Sequence, residues 1–106
     1  MVKVIVDPGV CGFKTEIFVY SEDMQHASVK INTGCPNFKG INDELKEIDA
    51  YRVCFCKIGE SDIYDIVKKY CPHAACPIPT GITKGIEVEC SLALPKDVHM
   101  YIKKYD

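Results

Sequence analysis

The sequence contains no long apolar segment. The longest apolar runs, such as Val4 to Val6 and Ile17 to Tyr20, are only a few residues long, whereas a transmembrane helix needs about 20 apolar residues. The N-terminal segment reaches Asp7 too soon to form the hydrophobic core of a signal peptide. We therefore expect no membrane span and a cytoplasmic location.

A basic excess and the motifs of several common enzymes are also missing. The chain has 13 Lys and Arg against 15 Asp and Glu, which gives a formal net charge of -2. Nucleic-acid binders usually carry a basic excess or a basic stripe, so we expect no nucleic-acid partner. No G-x-S-x-G, H-E-x-x-H or P-loop motif occurs, and the corresponding chemistries find no support.

Cysteine, in contrast, is abundant. Seven of the 106 residues are cysteines, and the odd number prevents complete pairing within the chain. A chain of this length buries enough apolar surface to fold as a single domain, residues 1–106, without disulfides. In reducing compartments, clustered cysteines more often bind metals or act in catalysis than form disulfides.

The first third of the sequence predicts three β-strands. Val2 to Val6 forms a short apolar strand that the turn at Asp7–Gly9 ends. Inward-facing residues alternate with polar ones over Phe13 to Tyr20 and again over Ala27 to Thr33, which is the pattern of half-buried strands. The polar segment 21–26 between them predicts a hairpin.

Three later segments carry helical patterns. Apolar residues recur at spacings of three and four over 38–48, and helix signals return over 61–71, with Ser61 as the expected N-cap, and over 79–94. Gly81 and Gly85 lie four residues apart in the last of these. Small residues at this spacing favour close packing against a neighbouring element.

Two further segments alternate like strands, namely 51–58 and 97–103, the latter with Val98, Met100 and Ile102 facing inward. The order of the predicted strands and helices along the chain predicts an α+β fold of two layers. It has one antiparallel or mixed sheet of about five strands, with two to three helices on one face.

Four cysteines fall in predicted turns. Cys35, Cys71 and Cys76 are each followed directly by proline, and Cys11 is bounded by glycines. Iron–sulfur loops place proline after a cysteine ligand, and four thiolates complete either a cluster or a zinc site. These four are therefore the candidate ligands of a zinc ion or an iron–sulfur cluster. The C-x4-C spacing of the last two matches no complete ligand motif, which leaves free thiols in turns as the alternative.

The segment Cys71–Pro79, CPHAACPIP, also admits thiol chemistry. Cys76 precedes a predicted helix, and amide dipoles at a helix N-terminus lower a thiol pKa. Cys71 then acts as its resolving partner, since four intervening residues in a turn bring Cα atoms within disulfide range. His73 is an additional metal ligand, a thiol-activating group, or a polar residue that caps the turn. The usual C-x-x-C redox spacing is absent.

The other three cysteines are expected to pack as small apolar residues. Cys54 and Cys56 lie two residues apart on a predicted strand and point to the same face, and Cys90 lies in an apolar helical stripe.

Several segments resemble a family of small uncharacterised proteins of anaerobic archaea and bacteria. The resemblance rests on HAACPIP (73–79) and KGIEVECSLALPKDV (84–98), with VCGF (10–13) and CPN (35–37) in the same pattern. It implies no established activity, although an anaerobic setting favours iron–sulfur chemistry. The three packing cysteines are not part of the shared motif.

Three functional hypotheses stay open. The first is a metal or iron–sulfur protein with Cys11, Cys35, Cys71 and Cys76 as ligands. The second is a thiol-redox protein that uses Cys76 and Cys71. The third is a non-enzymatic interaction module, with a protein partner or a second copy of the chain, in which the cysteines are structural.

Overall fold

An antiparallel sheet organises the first half of the chain. In the computed structural model, which describes residues 1–106, the strands are β1 (Val2–Val6), β2 (Thr15–Ser21), β3 (His26–Asn32) and β4 (Ile48–Asp49). Their order in the sheet follows the sequence, β1-β2-β3-β4. The first three strands and the hairpin between β2 and β3 are confirmed, whereas the sheet has four strands rather than about five.

The strand register follows the alternation in the sequence. Ile17 pairs with Val4 of β1 and with Ile31 of β3, while Val19 in turn pairs with Val29. Ile17 and Val19 are completely buried. Aliphatic pairs on one face of neighbouring strands stabilise a sheet, and this face forms the core.

Three α-helices pack around this core, namely α1 (Ala50–Cys54), α2 (Asp62–Val67) and α3 (Ile78–Glu89). The α+β class is therefore confirmed, with three helices. The Ser61 hydroxyl accepts a hydrogen bond from the Tyr64 amide and caps α2 as predicted. None of the helices is long and apolar enough to cross a lipid bilayer.

Helix α3 packs closely against β1 and β2 through its two glycines. A Cβ atom on Gly81 would lie 2.8 Å from Val6 Cγ2, and one on Gly85 would lie 2.8 Å from Val19 Cγ2. Both distances are shorter than two carbon atoms approach in folded proteins, so a side chain at either position would push the helix away from the sheet. The predicted role of these glycines in close packing is confirmed.

The helix predicted over 38–48 is wrong. Two 3₁₀ turns, Pro36–Phe38 and Ile41–Glu44, take its place and lead into β4. Gly40 between them has a left-handed φ of 88°, which ends the first turn because left-handed backbone cannot continue a helix. The apolar residues of the segment are nevertheless buried, so their spacing reflects the core and not a helix.

The strand predicted over 51–58 is wrong as well. Residues 50–54 form α1, whose start is fixed by Asp49, since its carboxylate accepts hydrogen bonds from the amides of Tyr51 and Arg52. Cys54 and Cys56 therefore do not alternate on a strand. Cys54 lies in the last turn of α1, half-buried, and Cys56 is exposed in the following loop.

The final strand predicted over 97–103 does not form within this chain. The segment is exposed along its whole length and has no regular secondary structure. Its alternating pattern has no neighbouring strand to pair with, and an unpaired strand has no hydrogen bonds to hold it.

Candidate functional site

The orientation of α3 determines which loops lie beside its first turn. Gly81, near the start of the helix, packs against Val6, the last residue of β1. At the other end, the Glu89 carboxylate accepts a hydrogen bond of 2.8 Å from the amide of Ser21, the last residue of β2. The N-terminus of α3 therefore lies at the end of the sheet where the loop 7–14 joins β1 to β2.

The loop that carries Cys35 lies at the same end. Thr15 begins β2 and is 1% exposed, and its hydroxyl is hydrogen-bonded at 2.8 Å to the hydroxyl of Thr33, just after β3. The Thr33 hydroxyl oxygen also accepts a hydrogen bond of 3.2 Å from the Cys35 amide. The two threonines thus hold the Cys35 turn against the start of β2, a link that the sequence analysis does not identify.

Cys71 and Cys76 flank the turn that leads into α3. The Cys71 amide bonds to the Val67 carbonyl at 2.9 Å, which places Cys71 in a further turn after α2. The Cys76 amide bonds to the His73 carbonyl at 3.2 Å, and the Cys71 thiol donates to that same carbonyl at 3.7 Å. One backbone carbonyl therefore holds both ends of the turn together.

Both thiols line one open groove of about 260 Å³. Its other walls include Tyr64 and Lys68 of the α2 region, as well as Pro79 of α3. No sequence motif marks Tyr64 and Lys68 as site residues. Their spacing of four residues, followed by three residues from Lys68 to Cys71, nevertheless predicts that they and Cys71 share one helical face.

The four turn cysteines, Cys11, Cys35, Cys71 and Cys76, are called the N-terminal cysteine set, because their loops lie at the end of the sheet where α3 begins. They come from three loops that are distant in sequence. Cys11 is exposed, while the other three are half-buried. As folded, no group of three or more Cys, His, Asp or Glu side chains is close enough to hold a metal ion.

The expectation of an activated Cys76 is wrong. Burial raises the pKa of the Cys76 thiol to about 11, and the neighbouring thiols of Cys71 and Cys11 raise it further. The Ile78 amide at the start of α3 bonds to the sulfur and lowers the pKa, as a helix N-terminus should, but burial outweighs it. A pKa this high favours the protonated thiol of Cys76 at neutral pH.

His73 contributes its backbone to the site. Its side chain is exposed, although it belongs to the lining of the groove. The contacts that hold the two cysteines are made by its carbonyl oxygen. The three roles of the His73 side chain, as metal ligand, thiol-activating group or cap, stay predictions.

Cys54, Cys56 and Cys90 form a second group, called the C-terminal cysteine set, along the C-terminal half of α3. Cys90 is 3% exposed and belongs to the core. Burial raises the pKa of Cys54 to about 11, with further contributions from Glu87, Cys90 and Cys56. The packing role expected for Cys54 and Cys90 agrees with this burial, whereas Cys56 is exposed.

Comparison with known proteins adds a family but no activity. A family model described as a family of unknown function (DUF6951) matches residues 2–102. No curated protein and no solved structure matches the chain. The family match agrees with the resemblance to an uncharacterised family and spans both cysteine sets.

Proposed function

Since the chain belongs to this family of unknown function, we propose from its geometry that it binds a thiophilic metal ion or an iron–sulfur cluster at the N-terminus of α3. Cys71 and Cys76 act as the first two ligands, and Cys11 and Cys35 complete the set. The observation that carries the proposal is that three loops distant in sequence bring four turn cysteines to one end of the fold.

Thiolate chemistry supports this assignment. Sulfur ligands select zinc, copper(I) and iron–sulfur clusters over the hard cations, which prefer oxygen. A metal also deprotonates the thiols that bind it. Seven free thiols suit a reducing compartment, and we therefore propose that the protein acts in the cytoplasm, as expected from the sequence.

Closure of the loop 7–14 is part of the proposal. Around a tetrahedral metal with bonds of about 2.3 Å, sulfur atoms lie roughly 4 Å apart, which is closer than three of these side chains come in the metal-free fold. The Phe13 end of the loop is held, because its carbonyl accepts a hydrogen bond of 2.8 Å from the buried Thr15 hydroxyl. The part around Cys11 is exposed, and its backbone hydrogen bonds stay within the loop, from the Gly12 amide to Gly9 and from the Lys14 amide to Gly12. We propose that this part moves toward Cys76.

Elemental analysis of protein purified without oxygen tests the proposal. We expect close to one zinc ion, or the iron and sulfide of one cluster, per chain, and charge-transfer absorption in the visible range if iron is present. The double variant Cys71→Ser/Cys76→Ser should lose the metal. The matched control is Cys54→Ser/Cys56→Ser, which removes two cysteines of the C-terminal cysteine set and should retain it.

Single variants then show whether the distant loops take part. Cys11→Ser and Cys35→Ser should each weaken metal retention against a chelator, while circular dichroism shows an unchanged fold. Metal-free protein that also resists reconstitution with zinc, or with iron and sulfide, would disprove the proposal. Equal metal loss in the test and control double variants would also contradict it.

A second candidate function, a reversible disulfide between Cys71 and Cys76, is favoured by the contact of both residues with one carbonyl group. A low-molecular-weight disulfide such as oxidised glutathione would accept two electrons and two protons from the two thiols, and two small thiols would leave. The raised pKa of Cys76 predicts slow attack at neutral pH. Peptide mapping after such treatment should find a Cys71–Cys76 link, and glutathione attached only to Cys11 or Cys56 would contradict it.

A further inference from the structure

The C-terminal segment 97–106, called the tail, carries the sequence alternation of a β-strand but belongs to no sheet. Its main chain takes part in no hydrogen bond. The rings of His99 and Tyr101 stack with centroids 6.1 Å apart, and Lys103 Nζ lies 5.1 Å from the ring centroid of Tyr105. Alternate residues therefore share one side, as in an extended strand.

The opposite side of the tail is apolar and faces solvent. Val98, Met100 and Ile102 are 58%, 80% and 96% exposed. Apolar and polar residues therefore alternate over residues 98–102, as they do in a half-buried strand. An exposed apolar strand of this kind needs a partner surface to become stable.

Strand β1 offers an open edge of the same length. Val2–Val6 pairs with β2 on one side, and its backbone makes no other hydrogen bond. Its side chains Val2, Val4 and Val6 are only half-buried, while Ile5 on the other face is 55% exposed. The opposite edge of the sheet, β4, has two residues and offers little to pair with. Unpaired edge strands are templates for a further strand.

The tail fits this edge in length and in pattern. Antiparallel pairing with Met100 opposite Val4 sets the three apolar tail residues beside the three valines of β1.

The chain path indicates that the tail pairs with a second copy. The Glu89 carboxylate at the end of α3 lies 3.3 Å from the amino group of Met1, at the start of β1. A tail that returned to its own β1 would enter at this end and run parallel to the strand. Antiparallel pairing, which is slightly more stable per residue, is open to a tail that arrives from another molecule.

We propose that two copies of the chain exchange their tails, each tail adding to β1 of the other copy as a fifth strand. A two-fold dimer of this kind pairs both β1 strands and both tails, because the contact is the same on both copies. The surface is separate from the N-terminal cysteine set, so the inference does not depend on the proposed metal site.

Sedimentation of the full chain tests the proposal, with two methionine variants. We expect wild-type protein to be dimeric at micromolar concentration. Met100→Asp places a charge in the pairing face and should weaken the dimer by at least about tenfold, since burying an unpaired charge is costly. The matched control Met24→Asp changes an exposed methionine in the hairpin turn and should leave the dimer intact.

Hydrogen exchange supplies the second measurement. The amides of Val2–Val6 that do not bond to β2 should be protected in wild type and exchange rapidly in Met100→Asp, with unchanged circular dichroism in both. A wild-type monomer would overturn the proposal, whether its tail is free or folded onto its own β1. A dimer that Met100→Asp does not weaken would also overturn the proposal, because such a dimer would use another surface, for example β1 against β1.

Discussion

The two ends of α3 carry the same reactive residue in opposite settings. At its N-terminus, the N-terminal cysteine set lies in turns shaped by proline and glycine, and Cys71 and Cys76 open onto a groove. Along its C-terminal half, Cys54 lies in a helix and Cys90 in the core. Cys54 and Cys56 also line a groove, which runs along α3 from Thr80 to Glu87, and both grooves measure about 260 Å³, so groove size does not distinguish the two sets.

The backbone separates the N-terminal cysteine set from Cys54 and Cys90, whereas Cys56 is exposed in a loop. A cysteine in a turn can reach a ligand when its loop moves, and the exposed turn at Cys11 makes backbone hydrogen bonds only within the loop 7–14. A cysteine in a helix that packs on the core is fixed by that packing and behaves as a small apolar side chain. The number of cysteines therefore says less about function than the element on which each one lies.

The largest effect should come from disturbing the close contact of α3 with the sheet, since this contact holds both ends of the helix in place. In Gly85→Ala, the new Cβ atom would lie 2.8 Å from Val19 Cγ2 and 3.1 Å from Val4 Cγ2. Overpacking costs about 1–3 kcal/mol, and the higher helix propensity of alanine returns up to about 1 kcal/mol. Urea denaturation should show a net loss of about 1–2 kcal/mol in the free energy of unfolding. The exposed-side control Lys84→Ala should change it little, and an unchanged Gly85→Ala would show that the helix does not pack this closely.

Serine substitutions should show how strongly the burial of a cysteine differs between the two cysteine sets. In Cys90→Ser, a hydroxyl replaces a thiol that is 3% exposed, and burying it should lower the free energy of unfolding by about 1–2 kcal/mol. Cys11→Ser alters an exposed turn, and in metal-free protein its effect should stay within about 0.5 kcal/mol. Thermal and urea unfolding with a chelator present measure both. Equal losses would mean that Cys11 is packed as tightly as Cys90.

The smallest effect should appear at the hairpin turn, which lies at the same end as Cys90. The Asp23 carboxylate bonds to the His26 ring at 2.8 Å and raises the pKa of His26, while the His26 amide and ring lower the pKa of Asp23. Because the folded pKa of His26 lies above its unfolded value of about 6.5, the stabilisation is complete below that pH and is lost as the pH rises through the folded pKa.

Nuclear magnetic resonance titration of the His26 ring measures this shift. In Asp23→Asn, the His26 pKa should fall toward its ordinary value, and the pH dependence of stability in this range should flatten. The effect is small because both side chains are about half exposed. A His26 pKa that does not change in Asp23→Asn would contradict the assigned partner.

Local patterns predicted the elements that depend on local chemistry. Alternation placed β2 and β3, the Ser61 cap placed α2, and the spacing of Gly81 and Gly85 predicted the close approach of α3. The errors arose where one residue or one missing neighbour overrode the pattern. Left-handed Gly40 interrupts an apolar spacing of three and four, and the Asp49 cap turns a segment rich in strand formers into α1.

The sequence by itself determined which residues can do chemistry, since the proline and glycine beside each member of the N-terminal cysteine set already place it in a turn. Only the tertiary structure decided where those turns lie, because the direction of α3 across β1 and β2 and the bond between Thr15 and Thr33 involve residues far apart in sequence. Burial, which raises the pKa of Cys76, likewise depends on the packing of distant segments. The tail shows the same limit. Its alternating pattern predicts a paired strand, but whether a neighbouring strand is available depends on the tertiary structure.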